Sequence, residues 1–216
     1  MNDGALWSPS APTDRDRALD EIDRRIAHLF VLVAEGLAQA TAAFLCGDRV
    51  AAAKVAAADI VIDELHRGTE ALVDHELSTV VDGIDRHGLR RLVLALRIMP
   101  ELERSGDLVE HIAARASCVL LVQLPPPASG LIRQMSDVAG ELWHRASDCF
   151  AGEAIFTGTA FRSLDDELDD LHVQLSSELA DAAISVPAAI EMGLVARFYE
   201  RLGDHAVNIA HRISST

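Results

Sequence analysis

Aromatic residues make up only 4% of this 216-residue chain, with a single tyrosine and two tryptophans. Sheet proteins draw on aromatic and β-branched side chains, so the shortage argues against a β architecture. Cysteine is also scarce. Cys46, Cys118 and Cys149 form no Cys-x-x-Cys pair, and their number is odd. That argues against a disulfide framework and makes a reducing compartment the expectation. Each cysteine lies in an apolar helical stretch and reads as a small buried hydrophobe. Positive charge is short as well, with 19 Lys and Arg against 34 Asp and Glu, a formal net charge of −15. Such a surface repels phosphate backbones and anionic lipid, so neither direct nucleic-acid binding nor unassisted membrane docking is expected. The charge suits a cation-binding protein or one that meets a basic partner. A plain acidic cytosolic protein would carry it equally well.

Long hydrophobic runs are missing. The longest candidate, Ala116 to Leu124, follows Arg115 and is too short to span a bilayer, so no membrane insertion is expected. Met1 to Pro12 has neither a basic leader nor an apolar core, which excludes a signal peptide. Its Gly, Ser and Pro content reads as a disordered tail over residues 1–13. The expected chain is soluble and cytoplasmic. No Gly-x-Ser-x-Gly elbow, Walker-type loop or nucleophilic constellation is present, so no enzyme is expected.

Alanine and leucine dominate an apolar fraction of 50%. Both are strong helix formers, and the length suits one or two domains with a sizeable core. Thr13 and Asp16 form a capping-box pattern that opens a helix over about 14–46. Its apolar stripe is Ile22, Ile26, Leu29, Val33, Leu37, Ala40 and Phe44, spaced by three and four. Gly47 can close it and Asp48 can cap the next helix, giving an antiparallel hairpin. The second helix covers roughly 49–80, with breaks at Asp82-Gly83 and His87-Gly88. The third covers about 89–123, with a kink expected near Pro100 and a stop at Pro125-Pro126-Pro127. Helices over about 128–151, from 152–158 to 183, and 188–213 complete the second half, with Val186-Pro187 as a breaker. The prediction is all-α, two tandem three-helix bundles over 14–124 and 128–216.

An internal repeat supports this division. Glu103-Arg104-Ser105-Gly106-Asp107, followed by His111-Ile112-Ala113, returns 97 positions later as Glu200-Arg201-Leu202-Gly203-Asp204, followed by Asn208-Ile209-Ala210. Asp59, Asp63 and His66 return 106 positions later as Asp165, Asp169 and His172. Each repeat therefore carries two carboxylate pairs at i,i+4, Asp59/Asp63 with Glu103/Asp107 and Asp165/Asp169 with Glu200/Asp204. A helix puts i and i+4 on one face, where like charges repel unless a cation lies between them. If the second and third helices of a bundle are neighbours, four carboxylates meet across a groove. Mg²⁺, Mn²⁺ or iron suits such an oxygen-rich site, and four carboxylates leave room for more than one ion. A solvated acidic face is the ordinary alternative. His66, His111, His172 and His205 are further candidates as ligands or as donors to ligands, a groove-edge histidine being commoner. Glu110, opposite Val207, lacks repeat support. Gly106 and Gly203 sit mid-helix between the acids, where a missing side chain permits close helix approach.

At these residues the chain resembles the PhoU family of phosphate-transport regulators. Tyr199 to Ala210 is similar to that family's Leu-Glu-Arg-Ile-Gly-Asp-His-Ala-x-Asn-Ile-Ala segment, with Tyr199 for Leu and Leu202 for Ile. Leu102 to Ala113 departs further, with Ser105 for Ile, Leu108 for His and His111 for Asn. The resemblance implies two pseudo-symmetric three-helix bundles. It also implies metal clusters of iron, zinc or similar ions on the Glu/Asp-x-x-x-Asp faces, and a cytoplasmic, often dimeric adaptor. Its implied partners are the ATPase subunit of a phosphate ABC transporter and a phosphate-sensing histidine kinase, and its implied role is to hold phosphate-starvation genes off. Two rivals remain. One is a ferritin-like di-metal carboxylate protein, whose Glu-x-x-His spacing Asp63/His66 and Asp169/His172 mimic. The other is a metal-free helical scaffold whose acidic faces dock basic partner helices.

Overall fold

The structure, a computed structural model, describes residues 13–79, 85–116, 125–181 and 184–216. Six helices fill these segments: α1 (Asp14–Cys46), α2 (Arg49–Ser78), α3 (Arg86–Arg115), α4 (Pro126–Ala151), α5 (Gly158–Asp181) and α6 (Val186–Ser214). No strand occurs among the described residues.

The caps set the boundaries. The Asp16 amide donates to Thr13 Oγ1 at 3.1 Å while the Thr13 amide donates to Asp16 Oδ2 at 2.8 Å, so α1 opens with the expected capping box. Thr13 therefore belongs to the helix cap, and the rest of the predicted tail lies outside the described residues. Gly47, at φ 63°, closes α1 in the left-handed region that glycine enters without strain. Asp48 Oδ1 then accepts from the amides of Val50 and Ala51, both at 3.0 Å, and the chain turns straight into α2.

One predicted break and one predicted helix start are corrected. His87-Gly88 does not interrupt the chain, because Asp85 accepts from the Gly88 amide at 2.7 Å and starts α3 at Arg86. Val186-Pro187 is likewise a beginning. Proline sits in the first turn of α6, where its missing N–H has no intrahelical partner to lose. Asp82-Gly83, the predicted end of α3 and Cys118 lie outside the described residues. Helix α3 is continuous through Pro100.

Helices α1, α2 and α3 pack on one another, as do α4, α5 and α6. Antiparallel α1 and α2 are joined at their far ends, where the Arg15 guanidinium donates to the Thr79 carbonyl at 3.1 Å. The two bundles then meet through α1 against α4 and α3 against α6, and one hydrophobic core runs through both. All seven predicted stripe residues of α1 are buried in it. Helix α1 is long and apolar enough to cross a membrane by length and composition, and α2, α3 and α4 pack against it. Phe30 of α1 lies 5.9 Å, centroid to centroid, from Trp143 and 5.6 Å from Phe150, both on α4. Cys149 is buried as expected. Cys46 is exposed because it falls on a different side of the last turn of α1 from the buried Phe44.

The seam between bundles also carries polar groups. Thr41 Oγ1 donates to the Leu37 carbonyl at 2.8 Å, which leaves its lone pairs to accept from Ser136 at 2.9 Å and Tyr199 at 2.7 Å. Between α3 and α6, Arg212 reaches the buried Glu101 at 2.9 Å and donates to the Arg97 carbonyl. Arg115 pairs with Glu191 at 3.1 Å and stacks over the Phe198 ring, 4.6 Å from its centroid. These contacts join the middle of α3 to the end of α6 and the end of α3 to the first half of α6, so the two helices run antiparallel.

Candidate metal centre

Helices α2 and α3 approach closely because Gly106 has no side chain. A Cβ there would lie 3.0 Å from two Ile62 carbons and 3.3 Å from Asp59 Oδ1. The same approach in the second repeat is tighter, since a Cβ at Gly203 would fall 2.5 Å from Leu168 Cδ2 and 3.3 Å from Leu142 Cδ1. The glycines between the acids thus let each third helix settle against its second helix.

In the first repeat this gathers the predicted carboxylates on one face. Burial, and then Asp107, Asp63, Glu110 and Glu103 in that order, push the Asp59 carboxyl from its ordinary 3.8 up to about 6. Burial and then Asp107 also raise Glu103, with Asp63 adding to the shift and His66 and Arg104 opposing it. All four predicted acids, Asp59, Asp63, Glu103 and Asp107, therefore feel one another. Glu110, which sequence reasoning set aside, belongs with them. Its signal was the spacing: residues 103, 107 and 110 fall on one helical row. Asp59 Oδ1 is buried and accepts no hydrogen bond, and His66 Nε2 is likewise buried and unpaired. A cavity of about 70 Å³ adjoins Asp59, lined also by Ile62, Gly106, Val109 and Glu110.

The second repeat assembles less. Burial, then Asp204, Asp169 and Asp166, raise the Asp165 carboxyl. Glu200 is held by an ion pair with Arg197 on its own helix. In the first repeat, Asp63 has only a loose ion pair with Arg67, at 3.9 Å and with both side chains exposed.

Among the described residues, no three or more His, Cys, Asp or Glu side chains are arranged to hold a metal ion as they stand. The chemistry of the first-repeat face nonetheless fits a hard cation. It offers oxygen donors, a buried carboxylate oxygen with no partner, and like charges that an ion would neutralise.

His205 does not face the acids of its own repeat. It is buried in the α3–α6 seam, with Nδ1 2.9 Å from Ser105 Oγ and Nε2 3.6 Å from Glu101. Ser105 already gives its proton to the Glu101 carbonyl at 2.6 Å, so His205 donates from Nδ1. Burial holds its pKa below the ordinary imidazole value, against the pull of Glu101. His111 is exposed on α3 and lies 5.6 Å from the Phe198 ring. The acids form two groups, one on α2–α3 and one on α5–α6, where a ferritin-like site would need them on one centre.

Comparison with known proteins agrees with this architecture. The PhoU domain family matches residues 14–116 and again 132–213. Phosphate-specific transport system accessory protein PhoU homolog 2 of Mycobacterium tuberculosis is 32% identical over 200 residues, 90% of this chain and 92% of that protein. PhoU homolog 1 of Mycobacterium leprae is 31% identical over 202 residues, 90% of this chain and 88% of that one. The crystal structure of PhoU from Pseudomonas aeruginosa superposes with a TM-score of 0.82 at 21% identity, covering 92% of this chain and 96% of that chain. The phosphate transport system regulatory protein PhoU from Streptococcus pneumoniae gives 0.79 at 21% identity, over 93% and 95% of the two chains. These two solved structures share the fold. With two matched segments and relatives above 30% identity along nine-tenths of its length, the chain belongs to the PhoU family.

Proposed function

We propose that this chain is an accessory regulator of a phosphate-specific transport system that works through protein contacts, without turnover of its own. The names of its relatives support the coarse role. In this reading it sits in the cytoplasm, as a dimer. It links the ATPase subunit of a phosphate ABC transporter to a phosphate-sensing histidine kinase and keeps starvation genes off when phosphate is plentiful.

Cation binding is the second part of the proposal. The observation that carries it is the buried, unpaired Asp59 Oδ1, whose carboxyl pKa burial and the surrounding carboxylates raise. Asp59, Asp63, Glu103 and Asp107 would hold an ion in the first repeat, and Asp165, Asp169 and Asp204 in the second, joined by Glu200 once it leaves Arg197. Iron, zinc, manganese or magnesium would neutralise the face and fix the second helix of each bundle to the third. The surface shown to partners would then depend on metal loading.

Two measurements test the two parts. Elemental analysis and calorimetry of the native chain should show binding that weakens in Asp107→Asn and Asp204→Asn; equal uptake by all three proteins defeats the cation reading. Pulldowns against the transporter ATPase and the sensor kinase should retain both, and failure with both defeats the adaptor reading. The pairing of Glu200 with Arg197 favours a second reading, a metal-free scaffold that docks basic segments. There, Asp169→Ala and Asp204→Ala would change partner affinity at unchanged metal content.

A further inference from the structure

The chain's net charge of −15 conceals a local exception. Residues 86–100, the first half of α3, contain four arginines and no acid. Arg91 turns inward and is held by Asp20 at 2.9 Å and Asp23 at 2.6 Å. Arg86, Arg90 and Arg97 are exposed, and none of the three forms an ion pair among the described residues. Among them lie Leu89, Val93 and Leu96, each 40% exposed. Spacings of three and four put these six residues on one solvent-facing side of the helix.

Comparison between the repeats singles out the arginines. Leu89 and Val93 correspond to Val186 and Ile190, which are exposed on α6 at 72% and 58%. Two of the three ridge positions are therefore apolar and exposed in both repeats, while Leu96 falls on Gly193. Arg86, Arg90 and Arg97 correspond to Ala183, Pro187 and Leu194, 97 positions on. The first repeat thus carries three cations without an ion pair beside its ridge, whereas Arg197, the cation on the corresponding face of α6, is paired with Glu200.

We propose that this face of α3 docks on an anionic lipid surface, the arginines on headgroup phosphates and the apolar ridge at the acyl boundary. Charge complementarity selects an anionic occupant. The apolar side chains stand in line on a convex helix rather than lining a cleft. That shape suits a fluid headgroup layer better than a protein partner, which needs pockets for its anchors. The repulsion expected from the whole-chain charge is an average, and screening at physiological salt confines each charge to about 8 Å. Metal loading has no part in this proposal.

The test is flotation of the full chain with vesicles of phosphatidylglycerol and phosphatidylcholine, and of phosphatidylcholine alone, in EDTA to prevent cation bridging. Co-flotation is expected with phosphatidylglycerol only, falling as salt rises. The variant Arg86→Gln/Arg90→Gln/Arg97→Gln should lower partitioning about a hundredfold, at about fivefold per arginine. Leu89→Gln/Val93→Gln should lower it too, with the circular dichroism of both variants unchanged. Absence of flotation at low salt overturns the proposal, as does flotation that the arginine variant leaves intact. If the arginine variant loses capture of an acidic protein while vesicles never bind, the face is a protein interface and the lipid assignment is wrong.

Discussion

Ser105 of the first repeat accepts a hydrogen bond from His205 of the second, at 2.9 Å and across the seam between α3 and α6. Ser105 is one of the residues by which the first motif departs from the family segment, so here the departure has a structural partner. The pair also sets a pH dependence. A histidine whose folded pKa lies below its ordinary 6.5 costs stability once the unfolded chain takes the proton that the folded chain refuses. The His205 contribution is intact above about pH 6.5 and is lost as pH falls below it. Urea unfolding of native chain and His205→Leu at pH 7.5 and 5.5 checks this. The variant should lose less stability between the two pH values than the native chain.

Arg212 controls the same group. It neutralises Glu101, which is 7% exposed and faces the imidazole. Arg212→Ala leaves that carboxylate with His205 as its only cationic recourse among these contacts. The His205 pKa should rise, read by NMR titration of its ring protons. Stability at pH 7.5 should fall by about 2 kcal/mol, the order expected for stranding a buried charged acceptor.

Tyr199 stands where the family segment has leucine, and its hydroxyl meets Thr41 at 2.7 Å. Burial pushes its pKa well above the ordinary value, so the phenol stays protonated. Tyr199→Phe keeps the ring in the core and removes one donor from Thr41. A loss of about 1 kcal/mol in urea unfolding is expected, with no change in helix content.

Gly203→Ala sets two effects against each other. Alanine favours a helix over glycine by about 1 kcal/mol. The added methyl, however, meets Leu168 at 2.5 Å, and that side chain is buried with nowhere to go. Overpacking of this kind costs about 1–3 kcal/mol, so the variant should be destabilised by thermal unfolding.

Asp59 gives a pH trend opposite to that of His205. Its folded pKa, about 6, lies above its ordinary 3.8, so the ionised carboxylate penalises the metal-free fold. That penalty is complete above about pH 6 and disappears as pH falls toward the ordinary value. Asp59→Asn should stabilise the metal-free chain at pH 7.5 by about 1 kcal/mol, allowing for screening at this partly exposed face. The gain should vanish near pH 4.

Much of this was legible in the residues. Thr13, Gly47 and Asp48 carry their cap chemistry locally, so the α1–α2 turn falls where the sequence puts it. The Leu, Ile and Phe stripe of α1 has one period and one buried side. The starts of α3 and α6 were harder, because Gly88 and Pro187 weaken a helix interior yet fit its first turn. Position relative to the cap decides which applies.

The acid pairs on each helix, and the glycines that let helices approach, follow from spacing alone. Which carboxylates share a neighbourhood does not, because long-range electrostatics depends on distance between helices. Only packing drew Glu110 toward Asp59 and turned His205 from its own acidic face into the seam, whereas the Arg197–Glu200 pair is a local i,i+3 contact that spacing alone offers. The sequence by itself determined six amphipathic helices in two repeats, since periodicity and capping act within a few residues. The tertiary structure alone decided how the repeats meet. That seam joins residues about a hundred or more positions apart, such as Ser105 with His205 and Thr41 with Tyr199, and no local pattern encodes such a pairing.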